Sequence, residues 1–554
     1  MDKIWKYKLH YIIVIPALLL ILLFKIWPFL YGVVLSLKDY KPFMGLFGSE
    51  WVGLGNFSAL FGEPAFVQVL ANTLAMKFGY VFASAAVAFV VALALSAIPS
   101  NGLRQALSAL FLFPFFIPSA VFASLVILTL SPSQSPFGFG ESFLLADPAS
   151  FRPVLILAET LKTCGVPILI ALAAIAARHA SEARKEEERR LYRGSFAHRN
   201  VYPALRAVSA YMLLQLSVLL SSDFELLLNL VNPLVYETGD MLDTYIYRTG
   251  LMNAQYGYAA AAEVLQVAIQ FALALGAYFI VRGAFLSDLF GSREAQAIAP
   301  AGRGGGAAGL AVAAPFAAVV LAALYLLFVY PFAGGDAFHW SEWLPAGSTA
   351  AYLFINLAAV VIHLLITVTL AYPLTVKDLP GRGLYKLFLL FALVIGAGTV
   401  GEYMFFRGAG MVGTLFPQLF SGFFNLAAVF VLKSIFNSKY GDLKEKAAAE
   451  GRGELHTMIT LFLPKIWKPL LGLGALQFIM LWNSYFTSLL YTVNPQLHSP
   501  MMRYMQLFSS GGEALPMQQL LQLGALLSVP AVVLFLLLRK WLTSEVLLSQ
   551  IRKL

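Results

Sequence analysis

DLKEKAAAEGRGELHTMITLFLPKIWKP, residues 442–469, opens with a run of polar, helix-forming residues in a chain dominated by apolar stretches. Asp442 is placed to cap a helix, and Glu445 three residues on completes a capping box with Asp in place of the usual Ser or Thr. Ala447, Ala448 and Ala449 are strong helix formers, and Gly451 stands where a C-terminal stop belongs. The spacing predicts a helix of about two turns, below the roughly 12 residues at which a lone helix holds in water. Such a helix needs a surface to pack on, and three successive alanines offer a shallow face. From spacing alone the stretch is either a docking helix or a plain connection between two spans.

The environment follows from composition. Of 554 residues 59% are hydrophobic and 12% charged, with a mean hydropathy of +0.76. A soluble domain carries about 25% charged residues, so the chain reads as an all-α polytopic membrane protein. Apolar stretches long enough to cross a bilayer run at 11–35, 70–98, 106–130, 153–177, 205–230, 258–282, 310–331, 349–376, 384–406, 411–436, 467–492 and 518–538. About twelve spans are expected. The net charge of +9 does not point to nucleic acid, because the basic residues are scattered between apolar runs. The single cysteine, Cys164, lies in an apolar stretch and excludes a disulfide framework. No cleavable leader is expected, since 12–24 runs on into more apolar sequence.

Lys3, Lys6 and Lys8 precede the first span and assign the N-terminus to the cytoplasm. With twelve spans, roughly 29 of the 38 Lys and Arg then fall on the cytoplasmic side and roughly 6 outside. Both termini are therefore expected in the cytoplasm. Between the sixth and seventh spans lies a Gly- and Ala-rich stretch, 295–309, read as a flexible linker. It divides the chain into two six-span halves, 1–294 and 310–554. Each half places its most charged loop between its fourth and fifth spans, at 178–207 and 442–469.

The second of these loops resembles the EAA loop of bacterial ABC-importer permeases: Glu-Ala-Ala, three residues, Gly, nine residues, then Ile-x-Leu-Pro. Here it reads Glu445-Lys446-Ala447, Gly451, then Leu461-Phe462-Leu463-Pro464, departing at Lys446 and Leu461. The first loop has lost the pattern. With Pro203 aligned to Pro464, the glycine position falls on Arg190 and the Glu-Ala-Ala positions on Arg184, Lys185 and Glu186. The segments 25–57, 236–262 and 482–495 are similar to carbohydrate-uptake permeases of the maltose type, so the resemblance covers nearly the whole chain. It implies the type I ABC-importer permease fold, two permease subunits fused in one chain, and a bacterial plasma-membrane location. It further implies two copies of a cytoplasmic ABC ATPase docked on these loops, an extracytoplasmic solute-binding protein and a sugar or oligosaccharide cargo. ATP and Mg would be bound by the partner ATPase, with no cofactor in this chain. The coupling residues it points to are Glu445, Ala447, Gly451, Leu463 and Pro464.

The residues themselves give no catalytic or nucleotide site. The nearest glycine cluster, Gly396 to Gly401, is followed by Glu402 and lacks the Walker lysine. The seven histidines show no metal-ligand spacing. A twelve-span secondary sugar transporter driven by an ion gradient is the main alternative, and a transport-inactive membrane scaffold a further one. Charges within apolar stretches cost at least about 2.5 kcal/mol to insert and are candidate functional groups. Glu159 and Lys162, three apart, are expected to pair on one helix face. Lys25 and Lys77 are expected to reach toward headgroups along their stems. Glu402 has no local partner in the sequence. Finally, Ser221, Ser222, Asp223 and Glu225 follow Pro203 at the offsets at which Trp482, Asn483, Ser484, Tyr485 and Phe486 follow Pro464. Two polar clusters on equivalent spans suggest a shared cavity with the carboxylate, amide and aromatic groups that hold a sugar. The other reading of these clusters is anchoring in the headgroup zone.

Overall fold

The computed structural model describes residues 7–132, 135–137, 143–184, 196–282, 305–333, 340–376, 378–396, 399–510 and 515–550. These residues are overwhelmingly helical, with one two-stranded antiparallel pairing of Lys38–Asp39 with Glu50–Trp51.

All twelve apolar stretches contain helix, but not as twelve continuous spans. Among the described residues eight helices are long and apolar enough to cross a membrane. Two bent pairs, Asn101–Phe116 with Ser119–Leu130 (100°) and Pro148–Thr163 with Gly165–Ala180 (51°), raise the number to ten. The stretches 205–230 and 384–406 are split into short helices, Tyr202–Leu216 with Phe224–Leu230 and Arg382–Val394 with Val400–Gly408. Hydropathy reads composition and does not register these bends. The sharpest one is nevertheless marked in the sequence, because Pro114 and Pro118 bracket it and each removes a backbone donor.

The internal repeat is exact in register over its latter part. Helices begin at Gly165 and Leu426, at Tyr202 and Leu463, and at Tyr256 and Met517, each pair separated by 261 residues. The irregularities repeat as well. A π-turn, Ala197–Val201 or Met458–Phe462, precedes each of the helices that carry Pro203 and Pro464 in their first turn. Proline has no N–H to offer the preceding turn and its ring crowds the carbonyl four residues back, so the backbone widens there.

The 442–469 region is an elbow rather than an isolated capped helix. Asp442 and Glu445 lie inside the helix Leu426–Ala449, which continues unbroken out of the apolar stretch, so the capping box does not form. The Glu445 side chain falls outside the described residues. The stop at Gly451 does form. Gly451 has φ +72°, and Arg452 N–H bonds Ala447 O at 3.1 Å, the 6→1 bond of a Schellman turn. Open space surrounds the position, so the demand for glycine there comes from the backbone angle alone. Past the elbow the chain runs as one long helix, Glu454–Asn483, in which Leu463 is half-buried and Pro464 exposed.

The two parts of the chain interlock. Lys8–Ile21 packs on Ala346–Leu374, and Trp27–Ser36 packs on Val400–Gly408. At the latter crossing a side chain on Gly401 would collide with the carbonyl of Pro28, so the helices touch backbone to backbone. Reciprocally, Gly305–Phe328 packs along Pro64–Ala97. Here the expected flexible linker needs correcting. Residues 295–304 lie outside the described residues, but 305–309 form the first turn of this helix, and any Cβ on Gly309 would run into the Ala94 carbonyl. The main apolar cluster accordingly mixes Phe116, Tyr211, Tyr372, Phe436 and Phe535 from both sides of the chain.

Candidate functional site

Where the two repeats face one another, the broken helices at the 261-residue offset meet end on. In the first, the turn after Leu216 leads into Phe224–Leu230, and Asp223 caps that helix by accepting from Leu226 N–H at 3.3 Å. In the second, Leu463–Asn483 stops and Phe486–Tyr491 restarts almost at once. Its first amides find their acceptor on the other repeat. Glu225 Oε1, in a residue 2% exposed, accepts from Tyr485 N–H and Phe486 N–H, both at 3.0 Å, and from the Ser484 hydroxyl. Glu225 and Phe486 are equivalent positions of the repeat, so this bond marks the axis relating the two. A carboxylate at a helix N-terminus satisfies amides that have no intrahelical partner and complements the helix dipole.

Buried ion pairs brace the first helix. Lys162 reaches Asp223 at 2.5 Å and donates to Ser119 Oγ, which itself donates to Asp223 at 2.8 Å. Lys77 is buried and pairs with Glu159 at 2.9 Å. Two expectations are thereby corrected. Glu159 and Lys162 do not pair with each other, because each finds a partner on a different helix. Lys77 does not reach for a headgroup. Nor does Lys25, which lines a cavity.

That cavity, of about 350 Å³, lies beside the Glu225 junction and takes side chains from both repeats. Ser221, Ser222, Glu225, Asp243, Glu263, Gln266 and Gln270 contribute from one, and Gln418, Asn425, Gln477, Ser484 and Thr487 from the other. Phe224, Tyr247, Phe424 and Phe486 add aromatic surface. Asp243 orders one wall by accepting from Ser222 N–H (2.7 Å), Ser222 Oγ (2.8 Å) and Gln266 Nε2 (2.8 Å). Glu263 accepts from Val400 N–H at 2.7 Å and so caps Val400–Gly408 across the interface. Ser549 and Gln550 complete part of the lining.

Of the six candidate residues, Glu225 lines this cavity and the other five support it or lie away from it. Asp223 is in the ion pair. Tyr485 is fully buried and accepts from Asn229 Nδ2 at 3.0 Å. Asn483 donates to Phe116 O at 2.9 Å, and Trp482 Nε1 donates to Leu527 O at 3.0 Å. These partners place the cluster in the protein interior, not in a headgroup belt. Glu402 accepts from Tyr491 OH at 3.0 Å, so its partner comes from another helix of the same half. The sequence reading missed Glu263, Gln266 and Gln270. Their spacing of three and four within Tyr256–Arg282 is a polar stripe on one helix face, and it was there to be read. Among the described residues no group of three His, Cys, Asp or Glu is arranged to hold a metal.

No family model matches the chain. It is 31% identical over 281 residues to the polygalacturonan/rhamnogalacturonan transport system permease protein YteP of Bacillus subtilis (strain 168), an alignment covering 48% of this chain and 85% of that protein. Protein LplB of the same organism is 27% identical over 295 residues, 50% of this chain and 89% of the relative. A solved bacterial alginate ABC transporter, in complex with a periplasmic protein bound to alginate pentasaccharide, aligns at 25% identity and a TM-score of 0.44, over 51% of this chain and 98% of that one. Relatives covered for 85% or more of their own length thus account for only about half of this chain, as a chain built from two permease lengths requires. It belongs to the permease proteins of ABC-type sugar transport systems.

Proposed function

We propose that this one chain supplies both sides of the translocation pathway of an ATP-driven importer for a sugar or oligosaccharide. The observation that carries this is the cavity built jointly by the two repeats, rich in amides, hydroxyls and aromatic faces, and bordered by broken helices of the kind that line substrate sites in transporters. Residues 1–294 and 310–554 serve as the two permease halves, joined through 295–309, the last turn of which begins the helix Gly305–Phe328. Glu225 faces the cargo, while Asp223, Trp482, Asn483, Tyr485 and Glu402 hold the walls. The elbow residues Glu445, Ala447, Gly451, Leu463 and Pro464 engage a cytoplasmic ABC ATPase, two copies of which bind ATP and Mg. An extracytoplasmic solute-binding protein delivers the cargo, and both termini of the chain face the cytoplasm of a bacterial cell. Membership of the permease family favours this over an ion-driven transporter.

The test is purification from the native membrane, identification of the co-purifying chains, and reconstitution into vesicles. The expected result is a stoichiometric ATPase and oligosaccharide uptake that needs ATP. Uptake by the chain without an ATPase, abolished by an ionophore, would overturn the proposal. Absence of transport with every partner present would favour the scaffold reading.

A further inference from the structure

The connection between the first two long helices, 37–63, leaves its largest apolar side chains outside the protein. Phe43 and Phe47 are wholly exposed, and Met44, Trp51, Leu54 and Phe61 are more than half exposed. A built loop holds them there. Lys38 and Asp39 pair with Trp51 and Glu50, Lys38 Nζ donates inward to Leu46 O at 2.6 Å and Ser49 O at 3.2 Å, and Ser49 Oγ donates to Gly45 O at 2.6 Å. Tyr40 and Leu46 pack on the protein, which gives the loop an inner side that Phe43 and Phe47 do not share.

Both ends of this connection are fixed at one face of the membrane. Lys8–Ser36 enters it and Pro64–Ala97 leaves it, each long and apolar enough to cross. The 29 residues of Lys8–Ser36 rise about 43 Å, close to the about 40–45 Å of a bilayer with its headgroups. The first helix begins beside the elbow, where His10 Nε2 lies 3.1 Å from Glu454 Oε2, so the loop belongs to the opposite face. Leu19, Leu23, Trp27, Leu30 and Val34 are exposed at helical spacing and turn one stripe of this helix to lipid. The stripe runs up to Val34, four residues before Lys38, so the apolar loop continues a lipid-facing surface.

We propose that 37–51 is an in-plane anchor that seats Phe43 and Phe47 in the leaflet on the face opposite the elbow. At headgroup depth the rings bury against acyl chains, while Asp39 and Lys41, exposed and paired at 3.4 Å, stay in the polar layer. This rim of the permease then grips lipid and is not a protein-docking surface.

The unmodified chain is placed in phosphatidylethanolamine and phosphatidylglycerol vesicles that carry a phosphatidylcholine with a diazirine near the top of its acyl chain. After irradiation, lipid adducts are expected on 43–47 as well as on 19–34, and adducts on 19–34 alone would overturn the proposal. Depth is read from bimane on Phe47→Cys or Lys41→Cys in a Cys164→Ala background, Cys164 being the sole cysteine. Neither position is packed, so the fold should persist. The ratio of quenching by acyl-chain nitroxide to quenching by aqueous iodide is expected to be at least about threefold higher at Phe47 than at Lys41. A ratio no higher at Phe47 would overturn the proposal. So would shielding of the Phe47 label from iodide by the co-purified solute-binding protein, which would make the loop a docking surface instead.

Discussion

The two broken helices at the repeat axis begin from the same register and end differently. Phe224–Leu230 carries its own cap, Asp223, and that carboxylate is answered by Lys162. Phe486–Tyr491 has no acidic residue of its own at that point and relies on Glu225 from across the axis. One repeat has kept both carboxylates and the other offers only backbone amides and a serine. Duplicated scaffolds thus become interdependent: a cap that one repeat lacks is supplied by the other, and the two can no longer part without exposing it.

Substitutions can break this contrast. The largest effect is expected from Glu225→Ala, which strands two amides and a hydroxyl in the interior. The loss should be about 4 kcal/mol, seen as a lowered melting temperature of the purified protein. Melting unchanged from the parent would mean that the second helix does not depend on the first repeat. Next comes Asp223→Asn, which keeps an acceptor at the cap but leaves Lys162 buried and unanswered, at about 3 kcal/mol. The double change with Lys162→Met should recover much of that, and simple additivity of the two would argue against the pair.

The elbows sharpen the same contrast at lower cost. Gly451→Val forces a β-branched residue to φ near +72°, a strain of about 1–2 kcal/mol. Under the proposed coupling, uptake should fall while the amount in the membrane is kept. Arg190→Val, at the aligned position of the first loop and outside the described residues, should do much less. Equal losses from both would remove the asymmetry. The smallest effect should come from Asn483→Ala, which gives up one bond to Phe116 O for about 1 kcal/mol, so a collapse in expression would reveal a role not captured by that bond.

What the sequence disclosed follows the range of the interactions involved. Gly451 was legible because a left-handed turn is a local demand. The repeat was legible because the offsets from Pro203 and Pro464 lie along one line of text. Lys162 was paired with Glu159 because only near neighbours can be matched by spacing, whereas its partner Asp223 is 61 residues away and that of Glu159 is 82. Asp442 misled for a different reason. The change from apolar to polar residues marks where a helix leaves the apolar layer, and it looked like the start of a new one. The bends at Pro114–Pro118 and around Cys164 were hidden by hydropathy, which averages over the very residues that turn the chain.

The interlocked first helix also imposes a wait. Lys8–Ser36 is made first, yet the surfaces it rests on, Ala346–Leu374 and Val400–Gly408, lie in the second half of the chain. At the roughly 5–20 residues per second of synthesis, about 20–70 s pass before both exist. For that interval Gly401, whose backbone lies against Gly32 in the folded chain, is not yet made. Joining the two repeats in one chain supplies a Gly401 for every Gly32.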